Sequence, residues 1–238
     1  MNGFLYGVVL QWKLDIRSKS LLVTCYIIPL IFFLLMGGIF TSVMPEMRST
    51  LIQSMVVMNV SMGAFIGLPS SLVETYGTDV KKVYKANGVP LYLGFVTMFL
   101  SAFVHLMISS AIILLLAHIL FEAALPVQFP VFFLALDIYI IASLGIGSIL
   151  GLIVKSQAKL AVIAQLVFLP SVMLSGIMFP ASLLPSFLET IGRVFPASWG
   201  YKLILNNGFC FANLWYLVFV FCVAIIICLV LLNRQKFK

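Results

Sequence analysis

The chain has 238 residues, of which 63% are hydrophobic and only 9% are charged. A soluble domain carries about 25% charged residues, because its surface must be hydrated. The composition therefore excludes an ordinary soluble domain and predicts a protein whose outer surface faces lipid. The formal net charge of +7 would suggest nucleic-acid binding in a soluble chain. No basic stripe with interleaved aromatic residues lies outside the apolar segments, so we expect no nucleic-acid partner.

Residues 1–20 precede the first long apolar run and carry a four-residue periodicity. The apolar residues with this spacing are Phe4, Val8, Trp12 and Ile16. The charged residues fall largely on other sides of the helical wheel and are Lys13, Asp15, Arg17 and Lys19. The pattern predicts an amphipathic helix that lies in the membrane interface with Trp12 as an anchor. The alternative is an ordinary flanking linker.

Six further segments are long enough to cross a membrane. A hydrocarbon core of ~30 Å requires ~20 apolar residues in a helix. The segments are 21–43, 51–72, 91–117, 131–154, 160–178 and 214–232. We therefore expect an all-α membrane protein with six transmembrane helices, built as a single transmembrane domain over residues 1–238.

Lysines and arginines are distributed unevenly between the two sides that six spans would create. One side holds Lys13, Arg17, Lys19, Lys81, Lys82, Lys85, Lys155, Lys159, Arg234, Lys236 and Lys238. The other side holds Arg48, Arg193 and Lys202. Because cytoplasmic loops carry the excess of Lys and Arg, both termini are predicted to be cytoplasmic.

The connection at 73–90, between the second and third spans, is short and charged. It is predicted to be helical from about residue 78 to residue 86. Asp79 favours the N-terminal end of such a helix, Lys82 and Lys85 favour its C-terminal end, and Asn87-Gly88 would stop it. A short helix parallel to the membrane would transmit force into both adjoining spans. A solvated basic loop explains the same residues equally well.

The segment 175–208, before the last span, is apolar but interrupted by Pro180, Pro185 and Pro196. Proline ends helices, so two short helical pieces are predicted at 184–194 and 199–206. They are expected on the outer side, within the stretch 179–208, as re-entrant or interfacial helices. Backbone at that depth must be buried in protein or line a cavity.

Ionisable residues inside the spans are few. Asp137 lies in the fourth span and His105 near the middle of the third. Such groups are functional candidates in a membrane, but a structural role is favoured for both: a polar or headgroup contact for Asp137 and a hydrogen-bonded packing role for His105. Small residues spaced for close helix contact are Gly63 with Gly67 and Gly147 with Gly151, and they serve packing within one chain or dimerisation equally well.

Motifs for other chemistry are missing from the sequence. No GxxxxGK[ST], HExxH or GxSxG occurs, and the four cysteines show no metal-ligand spacing. We expect neither an enzyme nor a metal site. If nucleotide powers transport here, another chain must bind it.

In their order and spacing these features resemble the permease subunit of ABC-2 type exporters over nearly the full chain. The loop pattern of that family is matched by Glu74, Gly77-Thr78, Lys81-Lys82 and Pro90. Its outer Gly-then-Pro pattern is matched by Ser175-Gly176, Phe179-Pro180, Pro185 and Pro196.

The resemblance implies half of a transporter, located in the plasma membrane of a bacterium. Two permease chains, identical or related, would pair with two cytoplasmic ATPase subunits that bind ATP and Mg²⁺, while this chain binds no cofactor. The residues implied in ATPase coupling are Glu74, Gly77, Thr78, Asp79, Lys81, Lys82, Tyr84 and Lys85. The residues implied in a substrate path or gate are Asp137, His105, Gly176, Phe179 and Pro180.

The exported material implied by this resemblance is hydrophobic or amphipathic, such as a drug, a peptide antibiotic or a lipid-linked molecule. Two other classes of function stay open at this point. One is a self-sufficient channel or secondary transporter. The other is a membrane protein that binds a partner without transporting anything.

Overall fold

The computed structural model describes residues 3–17, 22–77, 84, 86, 90–179, 183–205 and 211–236, and their regular secondary structure is entirely helical. We number the helices in chain order. They are α1 (Gly3–Arg17), α2 (Val23–Val43), α3 (Pro45–Tyr76), α4 (Leu91–Phe121), α5 (Phe129–Ile153), α6 (Gln157–Met173), α7 (Ser186–Gly192), α8 (Pro196–Leu205) and α9 (Phe211–Lys236).

Five helices, α2, α3, α4, α5 and α9, are long and apolar enough to cross a bilayer. Helix α6 is apolar but has only 17 residues, at the short end of the usual range for a span. The prediction of an all-α membrane protein is confirmed, whereas the count of six spans stays a prediction. Helix α6 ends before the predicted residue 178, and Gly176 follows it with a φ of 84°, which a residue with a side chain rarely adopts.

Helix α3 is the central element of the bundle. In its most apolar window 83% of the residues are buried, against 28% in α2 and 17% in α9. It packs against α2, α4, α5, α6 and α8. Helices α2 and α9 instead expose large apolar side chains such as Leu35 and Phe219. An exposed apolar face of this kind suits contact with lipid.

Close packing between α3 and α5 depends on small residues. Gly147 lies directly against the backbone carbonyl of Ala64, so that no Cβ fits there. One turn further, a Cβ at Gly151 would lie 2.7 Å from the Cβ of Leu72. Small residues let helix backbones approach closely where lipid provides no hydrophobic driving force.

Two π-helical turns lie in the first two long helices, at Val23–Ile27 in α2 and at Gly63–Gly67 in α3. The two turns are in contact, since a Cβ added at Gly67 would lie 3.1 Å from Cys25 Sγ. At the other end of its turn, Gly63 faces Leu106 of α4. All four glycines with close-contact spacing thus face helices of the same chain.

The ends of the helices define two ends of the bundle. The basic end carries the C-termini of α3 and α9, the N-terminus of α4 and the α5–α6 connection. The opposite end carries the α2–α3 turn, the α4–α5 connection, α7 and α8. At the opposite end, Arg48 Nη1 lies 3.4 Å from Glu122 Oε2, and Glu122 adopts a left-handed conformation after α4.

Candidate functional site

Helix α1 contacts α4 through a buried carboxylate. Asp15 is only 8% exposed. Ser101 Oγ donates a hydrogen bond to its Oδ2, and Gln11 Nε2 donates to its Oδ1 at 2.9 Å. Asp15 thus lies on the inward face of α1, where α4 offers a hydroxyl partner. Val8 and Trp12 of the predicted apolar face are half-buried beside it, whereas Ile16 is exposed. The amphipathic interfacial helix stays a prediction.

His105 of α4 is fully enclosed beside this carboxylate contact. Its Nδ1 lies 2.7 Å from the hydroxyl of Tyr26 in α2, and its ring stacks on Trp12 of α1 with a centroid distance of 6.3 Å. Three helices therefore meet at this imidazole. The position joins α1 to the bundle and lies apart from Gly176 and Phe179, which follow α6 at the opposite end.

The residues that flank the α3–α4 connection are held on both sides. The hydroxyl of Tyr76, at the end of α3, donates to the carbonyl oxygen of Leu91, at the start of α4, at 2.6 Å. Tyr84 packs against the core, and a Cβ at Gly94 would lie 2.6 Å from its ring. The connection therefore enters and leaves the bundle at fixed points.

The end of α3 also touches the α5–α6 connection. A Cβ at Gly77 would lie 2.5 Å from the carbonyl oxygen of Val73 and 3.2 Å from that of Lys155. Gln157, the first residue of α6, exchanges two hydrogen bonds with Ser70: Nε2 donates to the Ser70 carbonyl at 2.8 Å, and Oε1 accepts from Ser70 Oγ at 3.2 Å. The two connections at the basic end are thus coupled by direct contact.

The residues implied in ATPase coupling are only partly described. Glu74 is exposed on the last turn of α3, Gly77 is exposed just after it, and Tyr84 is half-buried. The remaining five, which are Thr78, Asp79, Lys81, Lys82 and Lys85, lie outside the described residues.

At the opposite end, α8 enters the bundle between α3 and α5. Gly200 lies against the ring of Tyr139, which is fully buried in α5, and leaves no room for a Cβ. Ser54 of α3 donates to the hydroxyl of Tyr201 at 3.2 Å. Tyr139 in turn lies 2.6 Å from Ser61 Oγ. The sequence predicted a short helix here but not these hydroxyl contacts, because a serine in an apolar segment carries no signal of its partner.

A second group of contacts closes the turn between α7 and α8. Trp199 Nε1 donates to the carbonyl of Arg193 at 2.7 Å, and Tyr216 of α9 donates to the carbonyl of Val194 at 2.6 Å. The two aromatic rings stack with centroids 4.7 Å apart, and Lys202 Nζ lies 5.5 Å from the Trp199 centroid. These bonds satisfy carbonyls that α7 leaves without helical partners.

Helix α7 itself is exposed and carries one ion pair. Arg193 Nη2 lies 2.9 Å from Glu189 Oε1, one helical turn away. The hydrogen bond and charge of Arg193 hold the pKa of Glu189 below its usual value. An exposed pair of this kind contributes little to stability.

The residues implied in a gate do not form one cluster with His105. Asp137 of α5 is partly buried, and its Oδ1 has no hydrogen-bond partner among the described residues. Gly176 is the left-handed glycine after α6, Phe179 is exposed, and Pro180 lies outside the described residues. Within the described part of the chain, no group of three or more His, Cys, Asp or Glu is arranged to hold a metal ion.

A family model described as ABC-2 type transporter matches residues 4–209, which is most of the chain and covers α1 to α8 except for the first residue of α1. The comparison with curated proteins finds no match.

Proposed function

The chain belongs to the ABC-2 type transporter family, and from this we propose that it is the permease half of an ATP-driven exporter. The family shows a multi-pass membrane transport component that is not itself catalytic, and such permeases generally work with ABC ATPases. The observation that supports coupling to an ATPase is the fixed attachment of the α3–α4 connection. Tyr76 bonds to Leu91, and Gly77 touches the α5–α6 connection.

Coupling would pass from this connection into the central helix. A force applied to residues 78–89 acts on the last turn of α3, because Tyr76 joins that turn to the start of α4. Helix α3 contacts α2, α4, α5, α6 and α8, so a shift of α3 changes packing across the bundle. Close-packed helices transmit displacement because they hold few voids.

The proposal extends to partners and location. Two cytoplasmic ATPase subunits bind ATP and Mg²⁺, and a second permease chain, identical or related, completes the transporter. Both termini are cytoplasmic and the chain lies in the plasma membrane of a bacterium. The substrate is hydrophobic or amphipathic, such as a drug, a peptide antibiotic or a lipid-linked molecule, and it moves out of the cytoplasm or the inner leaflet.

The test is purification of this chain from its native membranes in mild detergent, with mass spectrometry of the proteins that accompany it. The expected result is a stoichiometric ATPase that carries a phosphate loop. A variant with Lys81→Glu, Lys82→Glu and Lys85→Glu is expected to lose most of the ATPase while it still inserts and purifies as a folded protein.

Arg234→Glu with Lys236→Glu is the matched control, since these residues lie on the same predicted side but on α9. It should retain the ATPase. An intact, folded complex without any ATPase, together with flux through the purified chain alone in liposomes, would instead establish a channel or secondary transporter.

A further inference from the structure

Helix α1 turns its negative charge towards the bundle. Asp15 is the only acidic residue of this helix. Its carboxylate accepts hydrogen bonds from Gln11 of the same helix and from Ser101 of α4, and the residue is only 8% exposed. The face that packs on the bundle is therefore polar, and the opposite face of α1 carries no carboxylate.

The outward face of α1 combines two cations with large apolar side chains. Lys13 and Arg17 are exposed and lie one helical turn apart. On the same side of the helix, Tyr6, Leu10 and Leu14 are 57%, 43% and 54% exposed. A surface that is both apolar and basic is typical of a helix at a membrane surface, where apolar side chains reach the acyl chains and the cations extend to the headgroups.

Contacts with α2 and α4 place α1 near the headgroup level of one leaflet. Helix α2 has 21 residues, which form about 30 Å of helix, the thickness of a hydrocarbon core. Tyr26, in the first turn of α2, bonds to His105 of α4, and Trp12 of α1 stacks on the same imidazole. Helix α1 therefore packs against α4 at the level where α2 enters the apolar layer.

Helix α1 also contacts the part of α4 that continues past the start of α2. A Cβ at Gly7 would lie 3.5 Å from Thr97 Cγ2. Thr97 lies between His105 and Leu91, the residue at which α4 begins. The outward face of α1 thus points away from the spans, at a depth where phospholipid headgroups meet their acyl chains.

We propose that the outward face of α1 is a binding site for an anionic phospholipid of the leaflet in which α2 begins. Lys13 and Arg17 bind the phosphate group, since they are neighbouring cations without a carboxylate on their face of the helix. Leu10 and Leu14 contact the part of an acyl chain that is closest to the headgroup. The inference does not depend on what the chain transports.

This face differs from the one that the four-residue apolar spacing predicts. Trp12 belongs to that spacing, but its ring stacks on His105 in the bundle and the residue is half-buried. Tyr6, Leu10 and Leu14 lie outside that spacing and are exposed. The bundle therefore takes the side of α1 with the tryptophan, and lipid is left with the side that carries both cations.

The apolar surface continues on the other side of the two cations. Val9 and Ile16 are 42% and 39% exposed, and on a helical wheel they flank Lys13 and Arg17 opposite to Leu14. Apolar side chains thus lie on both sides of the positive charges. A phospholipid matches this arrangement because it offers a phosphate and acyl chains together.

Native mass spectrometry of the purified chain tests the site. Phosphatidylglycerol and phosphatidylcholine with identical acyl chains are added in equal amounts, and the bound lipids are identified. We expect the unaltered chain to prefer phosphatidylglycerol. Lys13→Gln with Arg17→Gln should lower the affinity for phosphatidylglycerol by about 5- to 30-fold, the effect of one to two basic residues at an anionic surface, and should leave the affinity for phosphatidylcholine unchanged.

Lys155→Gln with Lys159→Gln is the matched control, because it also removes two exposed cations, on either side of the start of α6. This variant should keep the preference for phosphatidylglycerol. An unchanged preference in the α1 variant, or an equal loss in the control, would overturn the proposal. An α1 variant that keeps its lipid preference but loses the ATPase from native membranes would show that this face binds the ATPase instead.

A spin label tests the apolar part of the site. In a background with the four native cysteines replaced, Leu14→Cys carries a nitroxide in liposomes that contain phosphatidylglycerol. We expect its relaxation to respond more to oxygen, which concentrates in lipid, than to a water-soluble nickel complex. Val127→Cys, where the valine is 76% exposed on the α4–α5 connection, is the reference for a label in water. Equal responses at the two positions would reject the contact with an acyl chain.

Discussion

Gly147 occupies a close approach between α5 and α3. Its backbone lies against the carbonyl of Ala64, and Gly151 one turn later lies against Leu72. Glycine spacing identified these positions from the sequence, but spacing does not say which helix they face, because the same pattern serves contacts within a chain and between chains. In the structure, Gly147 of α5 faces Ala64, which lies in the π-helical turn Gly63–Gly67 of α3.

A methyl group at Gly147 is therefore expected to destabilise the bundle by about 1–3 kcal/mol, as overpacking does in a dense core. Gly147→Ala should lower the temperature at which the purified protein loses its monodisperse gel-filtration peak. Gly38→Ala is the control, since a Cβ there meets nothing within 4 Å, and helix propensity alone makes it neutral or slightly stabilising. Equal behaviour of the two variants would contradict the close approach.

Helix α8 shows what element prediction recovers and what it misses. Proline positions predicted a short helix at 199–206, and the helix is Pro196–Leu205, which begins three residues earlier because proline is accepted in a first turn. Its insertion against Tyr139 was not predictable, because a glycine and a tyrosine separated by about sixty residues give no shared signal. The same limit explains Asp15: a periodicity of apolar residues assigns charges to the solvent face unless a partner on another helix is known.

Helix α8 should be displaced by Gly200→Ala, because the added methyl group meets the Tyr139 ring. Truncation of that ring in Tyr139→Leu should relieve part of the clash. In a double-mutant cycle by thermal unfolding we expect a coupling energy of about 0.5–3 kcal/mol between the two substitutions, the range for residues in contact. Additive effects would show that α8 and α5 do not meet through these residues.

At the scale of the whole molecule, apolar segment length predicted the spans and the basic residues predicted their direction. The prediction of the spans follows from bilayer thickness, and it is confirmed for five helices that are long and apolar enough to cross a bilayer. The prediction of direction follows from a rule about membrane insertion rather than packing. The packed bundle has the same contacts in either orientation. Direction therefore depends on an experiment in membranes.

Cysteine labelling tests this direction. In a background with the four native cysteines replaced, Val127→Cys lies on the α4–α5 connection, where the valine is 76% exposed. We expect a membrane-impermeant maleimide to label it in intact cells. Lys159→Cys, near the start of α6 at the basic end, should be labelled only after the cells are opened. The reverse pattern would place both termini outside.

The central position of α3 has a consequence for biosynthesis. Its polar side chains bond to partners that the ribosome makes later: Asn59 to Ser109, 50 residues on, and Ser54 to Tyr201, 147 residues on. At about 5–20 residues per second of synthesis, Ser54 waits roughly 7–30 s for its partner. Until α4, α5 and α8 are synthesised, the surface of α3 that they cover in the finished protein has no partner in the nascent chain. Helix α3, the most enclosed helix of the finished protein, is therefore the segment that an insertase or a membrane protease is most able to recognise.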